Sequence, residues 1–243
     1  MFNIFKTDNN TITFFTKETE YYKLARPLSP DHSGKFLPEW YKQLSTSYET
    51  ANEYNLKFTK PTIKSCFGIK DLMVGGIIIP MWSDLIVDVY PDKSLSYQFS
   101  DSTRNAVPHI ESQFGRLYED CTHLKLVNPW GAKTTKSRKY YYTSPFYHVG
   151  KTTDFYVCPG MLDFYYSHSL NVNLFFKVKP ELYRITIPVG FPLVQIISTD
   201  YGTDKIKIDK VSEEAWEGLT GERNTSFFRS YHKMVKFIKG KYG

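Results

Sequence analysis

At 243 residues, the chain is long enough to bury a sizeable core without covalent staples, as one large all-β domain or two small ones. Its 31 Lys and Arg exceed 25 Asp and Glu for a net charge of +6, a modest basic excess that suits an acidic partner without requiring one. The 3 cysteines are odd in number and far apart, which excludes a disulfide framework and a zinc knuckle, and no apolar run is long enough to span a bilayer as a helix.

The opening residues lack a cationic stretch followed by an apolar one, so export through a signal peptide is not expected. Cys66, Cys121 and Cys158 read as free thiols in a reducing compartment. Asp8-Asn9-Asn10 is a turn signal between Ile4-Phe5 and the apolar run 12–15, which predicts a hairpin at the N-terminus. Residues 27–38, rich in Pro, Ser, Asp and Gly, read as an ordered loop. Pro38-Glu39-Trp40-Tyr41-Lys42 then places a proline and an acid in a first helical turn, where the missing N–H costs nothing and the helix dipole favours negative charge. One or two turns are expected there, with Trp40 as an inward anchor. Residues 1–60 together make an N-terminal arm with a short helix.

The stretch 63–82, IKSCFGIKDLMVGGIIIPMW, joins a polar turn, a Gly-Gly break and a short apolar run. Gly75-Gly76 reads as the bend that feeds 77–81 into a sheet, Pro80 as an edge or end of that strand, and Trp82 as a cap on the core. Short β-like runs then recur with turn signals between them, at 85–90, 95–99, 124–127, 139–142, 155–158, 161–166, 172–178, 183–187, 193–197 and 206–208. Strands this short, without helical spacers, predict an all-β body over 61–210. The expected form is an antiparallel β-sandwich or jelly roll, similar to a double-stranded β-helix. The 19 Tyr and 18 Phe suit its half-buried pleated surfaces. In 171–178, Val172, Leu174, Phe176 and Val178 face one way and Asn171, Asn173, Phe175 and Lys177 the other.

Within GFPLVQ, Gly190 can take the positive φ that starts a tight turn, and Pro192 fits only the first position or an edge of the next strand. Gln195 places an amide among apolar neighbours, where it must find partners and can pin strand register. After Lys210 the pattern becomes helical. Ser212 is an N-cap with Glu213 and Glu214 in the first turn, Trp216 and Leu219 pack inward, and Gly221 stops the helix. A second helix is expected from about 224, with Phe227, Phe228, Tyr231, Met234, Val235 and Ile238 as an apolar stripe docked on the body or a partner subunit. Residues 211–243 thus form a C-terminal helical extension.

Few residues carry chemistry. His109 and Glu111, two apart, would share a face of a strand, and His168 would complete a facial site able to hold iron, with Arg184 as an anchor for an acidic co-substrate. That set defines an alternative reading as an iron-dependent oxygenase or other metalloenzyme; a solvated loop at Pro108 to Glu111 explains the same residues. Cys121 and His123 are close in sequence, yet two residues on one strand face seldom present a base to a nucleophile, and a lone His such as His123 or His148 is usually structural. Asp84, Asp88, Asp163 and Asp200 read as turn formers. No glycine-rich loop ends in Lys-Ser or Lys-Thr before a helix, so nucleotide chemistry of that kind has no support, and no cofactor is assigned. In KTTKSRKYYY, Lys133, Lys136, Arg138 and Lys139 interleave with tyrosines as in single-strand binders, or simply form a basic loop entering a tyrosine-rich strand.

Three pieces of sequence carry a lineage. Lys35-Phe36-Leu37-Pro38-Glu39-Trp40-Tyr41-Lys42, Ile63-Lys64-Ser65-Cys66 with Ile77-Ile78-Ile79-Pro80-Met81-Trp82, and Val189-Gly190-Phe191-Pro192-Leu193-Val194-Gln195-Ile196-Ile197 together resemble the landmarks of an uncharacterised protein family of tailed bacteriophages. The segments 145–148 and 160–173 are similar to lesser landmarks in the same order. Phe67-Gly68 stands where that family has a Pro-rich turn, and Phe191 where it has a small residue. The resemblance covers about residues 35–200 and brings no established enzyme activity. It implies a phage product made in the host cytoplasm, either incorporated in the particle or used during infection; with the aromatic-rich strands and the lack of a coherent catalytic set, the expected role is a non-enzymatic structural or accessory protein of the virion. Its partners would be other phage structural proteins or copies of itself.

Overall fold

The computed structural model describes residues 10–25, 28–109, 119–145, 147–148, 154–200 and 204–221. In chain order these form β1 (Thr11–Lys17), α1 (Glu18–Leu24), β2 (Asp31–His32), α2 (Glu39–Gln43), β3 (Ser47–Ala51), β4 (Lys57–Pro61), α3 (Phe67–Val74), β5 (Ile77–Pro80), β6 (Leu85–Val89) and β7 (Leu95–Phe99). There follow β8 (Ala106–His109), β9 (Cys121–Leu126), β10 (Gly131–Thr134), β11 (Lys139–Thr143), β12 (Phe155–Val157), β13 (Gly160–Asp163) and β14 (Val172–Lys177). The chain continues through β15 (Tyr183–Ile187), β16 (Pro192–Ser198), β17 (Lys205–Val211) and α4 (Glu213–Thr220).

Strands dominate, and the fold is an all-β sandwich with a small helical extension. A five-stranded sheet runs β13-β11-β16-β5-β2, a four-stranded sheet β12-β14-β9-β8, and two three-stranded sheets β15-β6-β7 and β10-β1-β17. The β3–β4 hairpin is a sheet of its own. Pairing is antiparallel except between β1 and β17, which run parallel from Thr11↔Lys205 to Lys17↔Val211. Ile12 and Phe14 of β1, Ile77 and Ile79 of β5, Val87 of β6, Leu124 of β9, Leu174 of β14 and Val194 of β16 enter one apolar cluster. Residues 11–17, expected in the N-terminal arm, are therefore a middle strand of the body. Their run of buried side chains needs cover on both faces, which a free arm cannot provide.

Local turn chemistry falls where the residues predict it. Ser212 accepts a hydrogen bond from the Ala215 N–H, and Gly221 ends α4 in the left-handed region at φ 69°. Gly190 turns at φ 80° and Gly76 at φ 77°. A Cβ on Gly76 would stand 2.2 Å from the Ile196 carbonyl oxygen, so β5 can lie against β16 only if this residue has none. Pro192 opens β16 beside a register shift against β5. Buried Gln195 donates from Nε2 to the carbonyls of Leu72, at 2.7 Å, and Gly75, at 2.9 Å, tying β16 to the C-terminal end of α3 where carbonyls lack intrahelical partners.

Two expectations are corrected. Trp40 is 42% exposed while Tyr41 is 4% exposed and lies beneath the Lys64 ammonium, 5.7 Å from its ring centroid. In a helix as short as α2 the docking of the flanking loops, and not ring size, decides which of two adjacent aromatics turns inward. The segment expected as a polar turn before Gly75-Gly76 contains a 3-10 turn (Ile63–Ser65), capped by the Thr62 hydroxyl accepting from the Lys64 N–H, and then α3. Met73 is buried on α3 while Phe67 is exposed, so the helix lacks the regular apolar stripe that would mark it in sequence. The turn 8–10 in its larger part and the helix expected from about 224 lie outside the described residues.

Candidate functional site

The β3–β4 hairpin is built to hold apolar side chains in water. All of β4 is exposed. Its register pairs Tyr48 with Lys60 and Thr50 with Phe58, and cross-strand partners share a face. Tyr48, Thr50, Phe58 and Lys60 therefore lie on one face, joined by parity with Leu56, while Glu49, Ala51, Lys57 and Thr59 lie on the other. On the first face Leu56 is 64% exposed, Tyr48 51% and Phe58 39%, and Tyr54 at the tip is 75% exposed.

The hairpin is tied at both ends. At its tip the Asn52 side-chain oxygen accepts from the Tyr54 N–H at 3.0 Å and the Leu56 N–H at 2.9 Å, with Asn55 at φ 59°. At its root Lys64 Nζ donates to the carbonyls of Lys42 and Leu44, the Ser65 hydroxyl to that of Thr46, and the Thr62 hydroxyl to that of Ser45. This hairpin was missed in the sequence, although Asn52 and Asn55 between two short β-prone runs are the signal that finds it.

His109 does not stand alone on a loop. It ends β8 directly opposite His123 on β9, and their ring centroids are 4.7 Å apart. His123 in turn faces Phe175 of β14 at 4.8 Å, and Phe175 stacks on Tyr156 of β12 at 5.5 Å and 16°. The four rings cross the sheet strand by strand on the face turned away from the main core. Phe175 is buried there for that reason, although periodicity places it with Asn171, Asn173 and Lys177 on the outer face. Burial, with His109 beside it, pushes His123 down to about 4, so the imidazole is neutral at pH 7. Burial also raises the Cys121 thiol, which lies 3.9 Å from the Tyr156 hydroxyl, and a thiol held protonated is a poor nucleophile.

His168 lies elsewhere, with Nδ1 3.1 Å from the Ala132 carbonyl and its ring edge-on to Phe15. The structure thus sets His109 against His123 and His168 against β1 and β10, while Glu111 lies outside the described residues. Among the described residues, no group of three His, Cys, Asp or Glu is placed to hold a metal ion. Arg184 makes a two-pronged pair with Asp88 across β15 and β6, at 2.7 and 2.8 Å, and holds that carboxyl below its ordinary range.

The basic cluster divides by partner. Arg138 is largely buried, with Nη1 2.8 Å from Asp204 and Nε 3.0 Å from Asp200. Burial raises the Asp204 carboxyl against the pull of that guanidinium. Lys133 lies over the Phe15 ring at 5.6 Å, and Lys136 and Lys139 are exposed. A cleft of about 150 Å³ between the end of β1, α1, α4 and the loops that precede β8 and follow β9 is lined by Lys17, Glu20, Arg104 and Trp216 among others. Its cations are matched internally, Lys17 by Glu213 at 2.5 Å and Arg104 by Glu20 at 2.6 Å and Asp101 at 3.1 Å.

Comparison with protein-family models, with curated proteins and with solved structures finds no match to this chain. Among the described residues no helix is long and apolar enough to cross a membrane.

Proposed function

We propose that the protein is a non-enzymatic structural or accessory component of a tailed-phage particle, made in the host cytoplasm and working through protein–protein contacts. The observation that carries this reading is the β3–β4 hairpin. A soluble fold gains nothing by bracing Tyr48, Leu56 and Phe58 outward, whereas an assembly gains a contact. Three of the ionisable groups singled out above serve the fold itself: Arg184 pairs with Asp88, Arg138 with Asp204, and His123 lies within a stack of rings.

The landmarks of the resemblance support the same reading by where they fall. Residues 77–82 contain β5 and residues 189–197 all of β16 but Ser198, two strands that pair, and residues 35–42 and 63–66 flank the hairpin along the chain. Mass spectrometry of purified virions from a phage carrying this gene is expected to find the chain at a constant ratio to the major particle proteins. Its absence from infectious particles overturns the proposal.

A further inference from the structure

We infer that the outer face of the β10-β1-β17 sheet binds the phosphate backbone of a single-stranded nucleic acid through Lys133, Lys136, Lys205 and Lys207. Register makes the site. Thr13 of β1 has Lys133 of β10 on one side and Lys207 of β17 on the other, and Thr11 has Lys205 beside it. Partners across a sheet share a face, so lysines from distant parts of the chain come together on one. Strand geometry sets Lys133 and Lys207 about 10 Å apart across the sheet and Lys205 and Lys207 about 7 Å apart along it. Lys136 is exposed in the turn that leaves β10 at the same end, because β10 runs against β1. Arg138, next in that run, is not part of the site, since Asp204 and Asp200 hold it.

Elsewhere on this sheet cations are matched, Lys17 by Glu213 and Lys210 by Glu18, each at 2.5 Å. On the outer face Lys207 has Asp209 at 3.1 Å, while Lys133 and Lys205 make no ion pair among the described residues. Like charges on one face repel, and a chain of phosphates lying across them relieves several at once. Phe15 of the same face is sealed beneath Lys133 and against Trp216, which leaves it unable to stack on a base, so the contact is to backbone. The helix α4 decides between one strand and two. It covers the Phe15 end of this face and carries Glu213, Glu214 and Glu217 beside the patch, where a stiff duplex would run into them and a flexible single strand turns aside.

Fluorescence anisotropy of a labelled oligothymidylate with the full chain is expected to show binding that weakens roughly 20- to 50-fold between about 50 and 200 mM salt, the dependence for about three to four phosphates on a single strand. A Lys205→Glu, Lys207→Glu chain should lose roughly tenfold or more in affinity. A Lys57→Glu, Lys60→Glu chain, which makes the same change in net charge on the hairpin, should bind like the parent. If a glutamate beside Asp209 lowers the melting of the chain, Lys205→Gln, Lys207→Gln removes charge without adding any and should make the salt slope shallower by about 1.4. A parent that leaves the oligothymidylate unbound, binding without salt dependence, or equal losses in the patch and hairpin variants each overturns the inference. Duplex DNA bound as tightly as the single strand overturns the choice of a single strand, and anionic vesicles bound in place of the oligothymidylate overturn it in favour of a membrane. A chain found in virions that ignores nucleic acid would defeat this inference alone, and a chain that binds it yet is absent from virions would defeat only the particle reading.

Discussion

His123 of β9 stands directly across from Phe175 of β14, their ring centroids 4.8 Å apart, so a buried imidazole is built into a stack of rings that crosses the sheet. An unfolded histidine titrates near 6.5, and burial lowers this one to about 4. Between those values the unfolded chain binds the proton and the folded chain does not. Stability is therefore complete above pH 6.5 and falls as the pH drops toward 4, with a loss of about 2 kcal/mol at pH 5. Urea unfolding at pH 7 and pH 5 measures it. A His123→Phe chain should lose most of this dependence, and an unchanged pH slope in that chain would show that the stack does not control it.

Gln195 offers a second test, of register. Its amide satisfies two partly buried carbonyls at the end of α3, so Gln195→Met keeps the volume and removes the donor to both. The expected cost is about 2–4 kcal/mol. A loss below about 0.5 kcal/mol in equilibrium unfolding would mean that those carbonyls find other partners.

Gly76 and Gly190 separate backbone strain from close approach. Both have positive φ, but a Cβ at Gly190 meets open space while one at Gly76 meets the Ile196 carbonyl. Gly190→Ala should cost about 1 kcal/mol, the ordinary penalty of that conformation. Gly76→Ala should cost clearly more, or force β5 away from β16. Equal melting temperatures for the two chains would contradict the packing.

Thiol reactivity reads burial directly. Cys66 is exposed, whereas Cys121 and Cys158 are partly buried and their thiols are raised by burial. Ellman's reagent on the native protein should give one fast phase and a slow remainder, and Cys66→Ser should remove the fast phase. A fast phase that survives the substitution would place a second thiol at the surface.

Much of the β body is legible from residue order. The limits of β7 and β15 agree with the runs 95–99 and 183–187, because alternation and turn residues act over a few positions. Ser212, Gly190 and Gly221 behave as their types predict, since capping and positive φ are local properties. The candidate site was far less legible. Periodicity leaves Phe175 outside, and only Tyr156 and His123 on neighbouring strands bury it. The His109, Glu111 and His168 grouping likewise assumed a convergence of distant strands that no spacing along the chain specifies.

The sequence by itself determined the β-rich class, most strand positions, the caps of α4 and the turns at Gly76 and Gly190, because each follows from the chemistry of adjacent residues. Only the tertiary structure decided that β1 joins β17 from the other end of the chain, that Tyr41 and not Trp40 turns inward, and that the hairpin face stays bare. Those are outcomes of long-range pairing, in which a side chain is buried or left in water according to which distant segment happens to cover it.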